Sequence, residues 1–303
     1  MVADDILENY DLFCMRDTDE IYLYRNGVYR NDNAEKKLRT VIRDTHDKYY
    51  IEYWENINKD YPLEHIFKAG SKFVFEVICY IKDYTHISRK EIDEVQLNYI
   101  NFKNGLFDIA AWKIINHTPD MKIIAQFNVT YNENAECPMI LNYMKTCELT
   151  QNNIDVLTEY AGYCLTPEIR MQKALMLYGN GANGKSVYIN LLKIIFGTDY
   201  FSGETKQNLE EDKYRVANLY GKRLNAFPDL KDTPLQTNEV FNTLTGNDLM
   251  LSGERKYQSS FDFIPTTKLL FSANKVPFAY SDITHTIEDG FLSTSHIPLK
   301  MRK

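Results

Sequence analysis

The chain has 303 residues, 44% of them hydrophobic and 25% charged, which is typical of a globular protein with two domains and a well-buried core. Its net charge of −7 argues against a protein that coats nucleic acid with its whole surface, yet residues 171–280 carry 13 basic and 11 acidic side chains and leave room for a local basic site. The acidic N-terminus and the lack of a long apolar run predict no signal peptide, no membrane span and a cytoplasmic protein.

The cysteines of the chain are scattered and never occur in C-x-x-C spacing, which favours buried free thiols over a zinc site. The histidines are equally scattered, and we assign them no role. The five cysteines are Cys14, Cys79, Cys137, Cys147 and Cys164.

The first fifty residues contain two local folding signals. Asn26-Gly27 lies between alternating aromatic and aliphatic residues and predicts a β-hairpin. Leu38, Val41 and Ile42 then recur at the spacing of an α-helix.

Further signals follow as far as residue 115. The apolar stretch 71–84 fits a buried helix or a buried strand equally well. Ser88 followed by Glu91 predicts a capping box that opens a helix, and Asn104-Gly105 predicts a second hairpin. Together these signals predict a small mixed α+β domain for packing or assembly, without a catalytic constellation.

Two helices precede the central motif of the chain. Pro138 predicts the first turn of one helix, and residues 153–165 form a second that stops before Pro167. We expect this helical collar to lead into a buried strand, KALMLY, at residues 173–178.

The sequence GNGANGKS follows that strand and fits the phosphate-binding pattern G-x-x-x-x-G-K-[ST]. Its glycines let backbone N–H groups point at phosphate oxygens, and the following helix, expected to end at Gly197, adds its positive end. Lys185 would reach the β- and γ-phosphates, and Ser186 would offer a hydroxyl to Mg²⁺. The alternative is a glycine-rich turn with an incidental lysine. The predicted nucleotide-binding residues are Gly179, Asn180, Gly181, Ala182, Asn183, Gly184, Lys185 and Ser186.

Two later strands end in polar residues. The strand within residues 222–229 ends at Asp229, whose carboxylate would lie near Mg²⁺, although an Asp in a Pro-Asp turn is also common. The strand within residues 266–274 ends at Asn274, which would orient the attacking water or else serves as a turn residue before Pro277. Between them Arg255, Lys256 and Tyr257 are adjacent, and they either grip a phosphate and stack a base or form a solvated hairpin tip.

In their order and spacing these segments resemble the superfamily 3 helicases, in particular the helicase half of phage and plasmid primase–helicases, to which the poxvirus primase–helicase is related. The resemblance runs from NGLFD (104–108) through VTYNENAECP, LTEYAGYCLTP, GNGANGKS and LYGKRLN to KLLFSANKVP (268–277), more than half the chain.

This resemblance implies an α/β fold, a P-loop AAA+-like ATPase core with a helical collar, preceded by the small mixed domain. It implies an ATP- and Mg²⁺-dependent DNA helicase of a virus, phage or plasmid in its host cell, acting as a homo-hexameric ring on single-stranded DNA, with a primase or replication initiator as further candidate partners. Lys185, Asp229 and Asn274 become catalytic, Ser186 and Asp229 hold Mg²⁺, and Arg255, Lys256 and Tyr257 bind DNA. The expected domains are 1–134 and 135–303, the latter divided into collar 135–170, core 171–280 and tail 281–303.

The chain departs from the family pattern at two places. Pro228-Asp229 stands where members of the family commonly carry an acidic pair or Ser-Glu. The residue that polarises the attacking water is therefore not assigned. The family places one or two arginines 15 to 20 residues after its sensor asparagine, which corresponds to Asn274 here. This chain has none at that distance, and Arg302 is the one arginine beyond Arg255. The missing arginines suggest a truncated or altered protein that hydrolyses ATP slowly. A winged-helix region and a primase domain are not expected either.

Two other functions remain open at this point. An ATP-binding assembly subunit with impaired hydrolysis is favoured by the missing arginines, whereas the intact Lys185-Ser186 pair and Asn274 favour the helicase. A P-loop small-molecule kinase would need an acceptor pocket and arginines in a lid over the phosphates, and the stretch after residue 256 is poor in arginine.

Overall fold

The structure, a computed structural model, describes residues 1–57, 68–147, 149–178, 183–227, 239–246, 250–255 and 260–273. The chain divides into two compact units, one made of residues 1–95 and 117–124 and the other of residues 96–116 and 125–303. The expected domain boundary between residues 134 and 135 stays a prediction.

The first unit is a small mixed α+β domain built around a four-stranded sheet with the order β3-β2-β1-β4. Strand β1 is antiparallel to β2 and parallel to β4. Its elements are α1 (Val2–Asn9), β1 (Leu12–Met15), β2 (Ile21–Arg25), β3 (Val28–Arg30), α2 (Ala34–Ile57), α3 (Ser71–Thr85), β4 (His86–Ile87) and α4 (Arg89–Gln96). Helix α4 ends at Gln96, the first residue of the second unit.

The local signals of this unit are confirmed. Asn26 and Gly27 adopt φ values of +52° and +82°, as the tight turn of the β2–β3 hairpin requires. The ambiguous stretch 71–84 is helical, and α3 buries Val74, Val77, Ile78 and Ile81 on one face. This spacing of three, four and seven residues is that of a helix packed on a core.

The predicted capping box is also present at the start of α4. The backbone N–H of Ser88 donates to Oε1 of Glu91 at 3.1 Å, and the backbone N–H of Glu91 donates to Oγ of Ser88 at 3.4 Å. Both donors lie in the first turn, where the helix offers no carbonyl to accept them.

A charged cluster joins β1, the following turn, α3 and β4. The Oδ1 atom of Asp19 lies 3.6 Å from Sγ of Cys14 and 3.7 Å from Nε2 of His86. Nζ of Lys82 donates to Oδ2 of Asp19 at 2.5 Å. Burial raises the pKa of Asp19, but the hydrogen bond and charge of Lys82 outweigh it and hold that pKa below its usual value. Lys82 supplies the cation for this carboxylate, so the cluster is an ion-pair network.

The thiols of all five cysteines are free. Burial of Cys14, Cys147 and Cys164 agrees with the expectation from their scattered positions. Cys79 is half-buried instead, and Cys137, the residue before α5, is exposed.

In the part that the structure describes, the second unit combines helices with three separate sheets. Its elements are β5 (Tyr99–Phe102), β6 (Gly105–Asp108), β7 (Lys113–Ile115), α5 (Pro138–Thr146), α6 (Gln151–Leu165), β8 (Leu175–Tyr178), α7 (Lys185–Tyr200), β9 (Phe201–Ser202), α8 (Lys206–Glu211), α9 (Lys213–Ala217), β10 (Leu224–Phe227), α10 (Glu239–Thr245), β11 (Leu251–Gly253), β12 (Phe261–Phe263) and β13 (Lys268–Ala273). The predicted turn at Asn104-Gly105 joins β5 to β6, which pair antiparallel.

The main sheet of this unit is parallel and has the strand order β8-β13-β10-β9. Leu175 of β8 pairs with Leu270 of β13, and Phe227 of β10 pairs with Phe271. All six residues of β13 are buried. A central strand buried on both faces is typical of a parallel sheet covered by helices.

The second collar helix, α6, is tied to this sheet and to α7 by tyrosine hydroxyls. Pro138 occupies the first turn of α5 as predicted, and α6 ends at Leu165, before Pro167. Oη of Tyr160 in α6 donates to the carbonyl of Leu269 in β13 at 2.7 Å. Oη of Tyr188 in α7 donates to the carbonyl of Leu157 in α6 at 2.7 Å. These bonds fix α6 between the sheet and α7.

Helix α7 departs from the expectation at its C-terminal end. Gly197 has φ +63° and ψ −173°, so the regular helix breaks at the predicted residue, but helical residues resume after it as far as Tyr200. Tyr200 is buried against the core, and its Oη donates to the carbonyl of Ala125 at 3.1 Å. This packing explains why the chain turns back into a helix after the glycine.

Within the described residues, the helices are all too short or too polar to cross a membrane.

Candidate nucleotide site

The predicted phosphate loop connects β8 to α7. Strand β8 ends at Tyr178, which pairs with Ala273 at the end of β13. Because β8, β13 and β10 run parallel, their carboxyl ends meet at one edge of the sheet. The chain segments that follow these three strands therefore leave from the same edge, where ligands bind in open α/β sheets.

Gly184 is the residue that turns this connection into the helix. It has φ +90°, in the left-handed region that favours glycine, and it is the N-cap of α7. Its carbonyl oxygen accepts the backbone N–H groups of Val187 at 3.0 Å and Tyr188 at 3.1 Å. The N-terminus of α7 thus begins immediately at Lys185, with its positive end directed toward the loop.

The amine of Lys185 is held close to the loop. Lys185 is only 7% exposed, and its Nζ donates to Oδ1 of Asn183 at 3.0 Å. Asn183 is itself 5% exposed. Lys185 is the first residue of α7, and the partial positive charge of a helix N-terminus favours the binding of anions.

Ser186 completes the described part of the motif. It lies exposed in the first turn of α7, where its hydroxyl can reach a ligand at the helix N-terminus. The structure brings Asn183, Gly184, Lys185 and Ser186 together. Gly179, Asn180, Gly181 and Ala182 lie outside the described residues.

Two other predicted residues follow strands of the same sheet. Asp229 follows β10 and Asn274 follows β13, but both lie outside the described residues. The strands that lead to them are confirmed, and both run parallel to β8. Their roles as Mg²⁺ ligand and sensor stay predictions.

The predicted DNA-binding loop connects the two strands of a hairpin. Strands β11 and β12 pair antiparallel, with Gly253 opposite Phe261. Arg255 lies just beyond β11, with its guanidinium 5.2 Å from the ring centroid of Phe261. Lys256 and Tyr257 lie outside the described residues, between Arg255 and the start of β12.

The base of this hairpin is anchored in the second unit. A Cβ on Gly253 would come within 2.9 Å of the Cα of Ala217 in α9, so the strand and this helix are in close contact. Phe261 and Phe263 pack edge-on against Tyr220 at centroid distances of 5.7 and 5.6 Å.

Sequence reasoning did not assign two side chains that contact the loop. Oη of Tyr143 in α5 donates to the carbonyl of Gly184 at 2.6 Å. Cys147 follows the same helix, and its Sγ lies 2.6 Å from the position that a Cβ of Gly184 would occupy. No motif marks these residues, because their partner is about forty positions away in the chain.

A large apolar cavity lies at the other end of the sheet. It has a volume of about 910 Å³ and is lined mainly by apolar side chains, among them Phe102, Phe107, Tyr131 and Tyr163. Its lining includes Pro265 and Thr266, which precede β13. It therefore lies near the amino end of that strand and is separate from the loop at the carboxyl edge.

The fold defines a mixed α/β protein with a parallel sheet, and two family models match it. One, described as D5 N terminal like, matches residues 5–147. The other, described as a family of unknown function (DUF5906), matches residues 177–286, which include the whole phosphate loop (179–186) and strands β10 and β13.

Among curated proteins the chain is similar to the "Putative helicase L207/L206" of Acanthamoeba polyphaga mimivirus. The two are 26% identical over 196 residues, which cover 61% of this chain and 20% of the relative. Together with the family models, this similarity supports a viral or phage primase–helicase family, as the sequence motifs predict.

Two solved structures share the fold over essentially the whole chain. The apo structure of the NrS-1 C-terminal region in its A form has a TM-score of 0.55 and 14% identity, and covers 99% of this chain and 60% of its own. The structure of NrS-1 residues 305–718 has a TM-score of 0.53 and 13% identity, and covers 100% and 61%. The chain thus spans about three fifths of these structures and one fifth of the viral relative.

Proposed function

We propose that this chain is the ATPase part of an ATP-dependent DNA helicase, which acts in viral, phage or plasmid replication as a ring on single-stranded DNA. The observation that carries the proposal is the arrangement at one sheet edge. There β8 leads toward Gly184 and Lys185 at the N-terminus of α7, and the parallel neighbours β13 and β10 lead toward Asn274 and Asp229.

The residues present fit a magnesium–nucleotide complex. The N-terminus of α7 and the buried ammonium of Lys185 attract the phosphates, and the exposed hydroxyl of Ser186 would hold Mg²⁺ together with Asp229. Bound Mg²⁺ would neutralise phosphate charge during transfer. Lys185 would orient the triphosphate, and Asn274 would orient the attacking water between Asp229 and the γ-phosphate.

Binding of DNA would use the β11–β12 hairpin. Arg255 belongs to a connection that also contains Lys256 and Tyr257, two cations beside an aromatic ring that suit a phosphate and a stacked base. A chain with net charge −7 has little general affinity for DNA. In a ring of six subunits, however, six such loops would line one channel, and their combined grip would be far stronger than that of one.

The decisive experiment is a strand-displacement assay with wild type and Lys185→Ala on a forked DNA duplex in the presence of Mg-ATP. Wild type is expected to separate the strands, and the variant is expected to lose at least about 100-fold in rate, since a phosphate contact of the transition state is removed. Equal activity in the two proteins would refute the helicase. Sedimentation with and without nucleotide should reveal a ring-sized species.

An ATP-binding assembly subunit is the second candidate. It is favoured by the sequence after Asn274, in which Arg302 is the one arginine, whereas the resemblance implies arginines 15 to 20 residues beyond the sensor. Because such an arginine contributes about 10³–10⁵ in rate, its absence would leave binding intact and hydrolysis slow. Tight Mg-ATP binding with a turnover that DNA does not stimulate would favour this candidate over the helicase.

A further inference from the structure

The last glycine of the phosphate loop is held by helix α5. Oη of Tyr143 donates to the carbonyl oxygen of Gly184 at 2.6 Å. The same oxygen accepts the first backbone hydrogen bonds of α7, from Val187 and Tyr188. Tyr143 therefore bonds to the peptide group at which α7 begins.

The space around Gly184 is limited by the same helix. A Cβ at this position would lie 2.7 Å from Oη of Tyr143 and 2.6 Å from Sγ of Cys147. Both distances are shorter than any van der Waals contact, and both atoms belong to the last turn of α5 or the residue after it. Together with φ +90°, this contact explains why glycine stands here.

The hydroxyl of Tyr143 is a permanent donor. Burial raises the pKa of Tyr143, and the neighbouring Cys147 raises it further, so the phenol stays protonated well above physiological pH. Its hydrogen bond to Gly184 is a partly buried contact to a neutral acceptor, of the kind that contributes modestly to stability but fixes geometry.

The helix that carries these side chains is fixed to the same unit. Met144 of α5 is buried in the core cluster that also contains Leu157 of α6 and Tyr188 of α7. The Gly184 peptide thus begins one helix of this core, α7, and accepts a hydrogen bond from another, α5.

We propose that Tyr143 and Cys147 are positioning residues of the nucleotide site. The side chain of Tyr143 fixes the orientation of the Gly184 peptide, and the thiol of Cys147 closes the space beside it. The first turn of α7 and the amine of Lys185 are then directed at the phosphates before nucleotide arrives. This inference rests on the proposed nucleotide binding, and neither residue itself touches the phosphates.

Tyr143→Phe tests the hydrogen bond, with Tyr200→Phe as a matched control. Both substitutions remove a tyrosine hydroxyl that donates to a backbone carbonyl in the same unit, and Tyr200 lies at the far end of α7. Calorimetry with Mg-ATP and steady-state hydrolysis are measured for each. Tyr143→Phe should raise Kd and KM about 3- to 10-fold, with kcat within about twofold of wild type.

The control separates positioning from stability. Tyr200→Phe should lower the thermal midpoint about as much as Tyr143→Phe does, but leave Kd and KM within about twofold of wild type. Wild-type affinity in Tyr143→Phe would overturn the proposal, and so would an equal loss of affinity in both variants. Failure of the wild-type protein to bind Mg-ATP would instead contradict the proposed function.

The role of Cys147 is tested by added volume. Cys147→Val should crowd Gly184 and weaken Mg-ATP binding by more than about threefold, whereas Cys164→Val, at a buried thiol of α6, should leave it within about twofold. Equal affinities of these two variants would show that the space beside Gly184 does not matter.

Discussion

The side chains of Asn183 and Lys185 form a hydrogen bond across Gly184, with Nζ of the lysine 3.0 Å from Oδ1 of the asparagine. Both side chains are buried. The amide oxygen thus offers the ammonium a partner in the nucleotide-free protein, close to the position where phosphate oxygens would take over.

Substitution of Asn183 should change nucleotide affinity in two different ways. Asn183→Ala removes an acceptor of Lys185 and should weaken Mg-ATP binding about 3- to 10-fold. Asn183→Asp keeps the acceptor but adds a negative charge beside the phosphates, and should weaken binding more than about 10-fold. Calorimetric titration measures both. Wild-type affinity in Asn183→Asp would mean that this side chain lies away from the bound phosphates.

The local elements of this chain could be predicted because short-range chemistry determines them. Asn26-Gly27 and Asn104-Gly105 form the expected turns, and Pro138 occupies the expected first turn of a helix. Each depends on the backbone preferences of one or two residues. The stretch 71–84 stayed ambiguous because an apolar run suits either element, and tertiary packing decided for a helix.

Long-range relationships could not be predicted in the same way. Strand β13 lies between β8 and β10, although it follows both in the chain, and β9 is a strand of two residues at the sheet edge. The motif GNGANGKS predicts that the backbone N–H groups of residues 179–186 bind phosphate oxygens. It does not predict that Tyr143 meets Gly184, because no periodicity or spacing relates α5 to the loop.

The hairpin loop should supply a salt-dependent part of DNA affinity. Lys256→Ala and Arg255→Ala should each weaken the binding of single-stranded DNA. The slope of log Kd against log salt concentration should also become shallower, by about 0.7 for each DNA phosphate that the variant no longer neutralises. Lys90→Ala is the control, since Lys90 is exposed and belongs to the first unit. Fluorescence anisotropy at several salt concentrations gives both quantities. Unchanged affinity and slope in the hairpin variants would assign the loop a purely structural role.

The positive φ of Gly197 should make alanine costly at this position. Gly197→Ala is expected to lower the free energy of unfolding by about 1–2 kcal/mol, because φ is +63° and the new Cβ would lie 3.2 Å from Cβ of Asn128. Gly203→Ala is the matched control, with its nearest contact at 3.8 Å and no positive φ. Urea denaturation compares the two. Equal stabilities would mean that the backbone relaxes at Gly197 without cost.

Lys268, at the start of β13, should make stability depend on pH. The side chain is 2% exposed, and its Nζ donates to the carbonyls of Thr166 and Thr266. Burial, followed by the charge of Arg223, lowers the pKa of Lys268 to about 7. In the unfolded chain this amine titrates near 10.5, so between these values the unfolded state holds a proton that the folded state has released.

The free energy of unfolding should therefore rise as the pH increases from 7 toward 8.5, with a contribution from this group of at most about 1.4 kcal/mol per pH unit. Lys268→Met removes the titrating group and should flatten that rise, whatever its effect on absolute stability. Urea titrations at several pH values measure the slope of unfolding free energy against pH for both proteins. The pH range stops below 9 because burial raises the pKa of Cys164 to about 12. Above pH 9 this thiol would lower the free energy of unfolding as the pH rises, opposite to the effect of Lys268. Identical slopes in the two proteins would mean that the two carbonyls keep the folded-state amine protonated throughout.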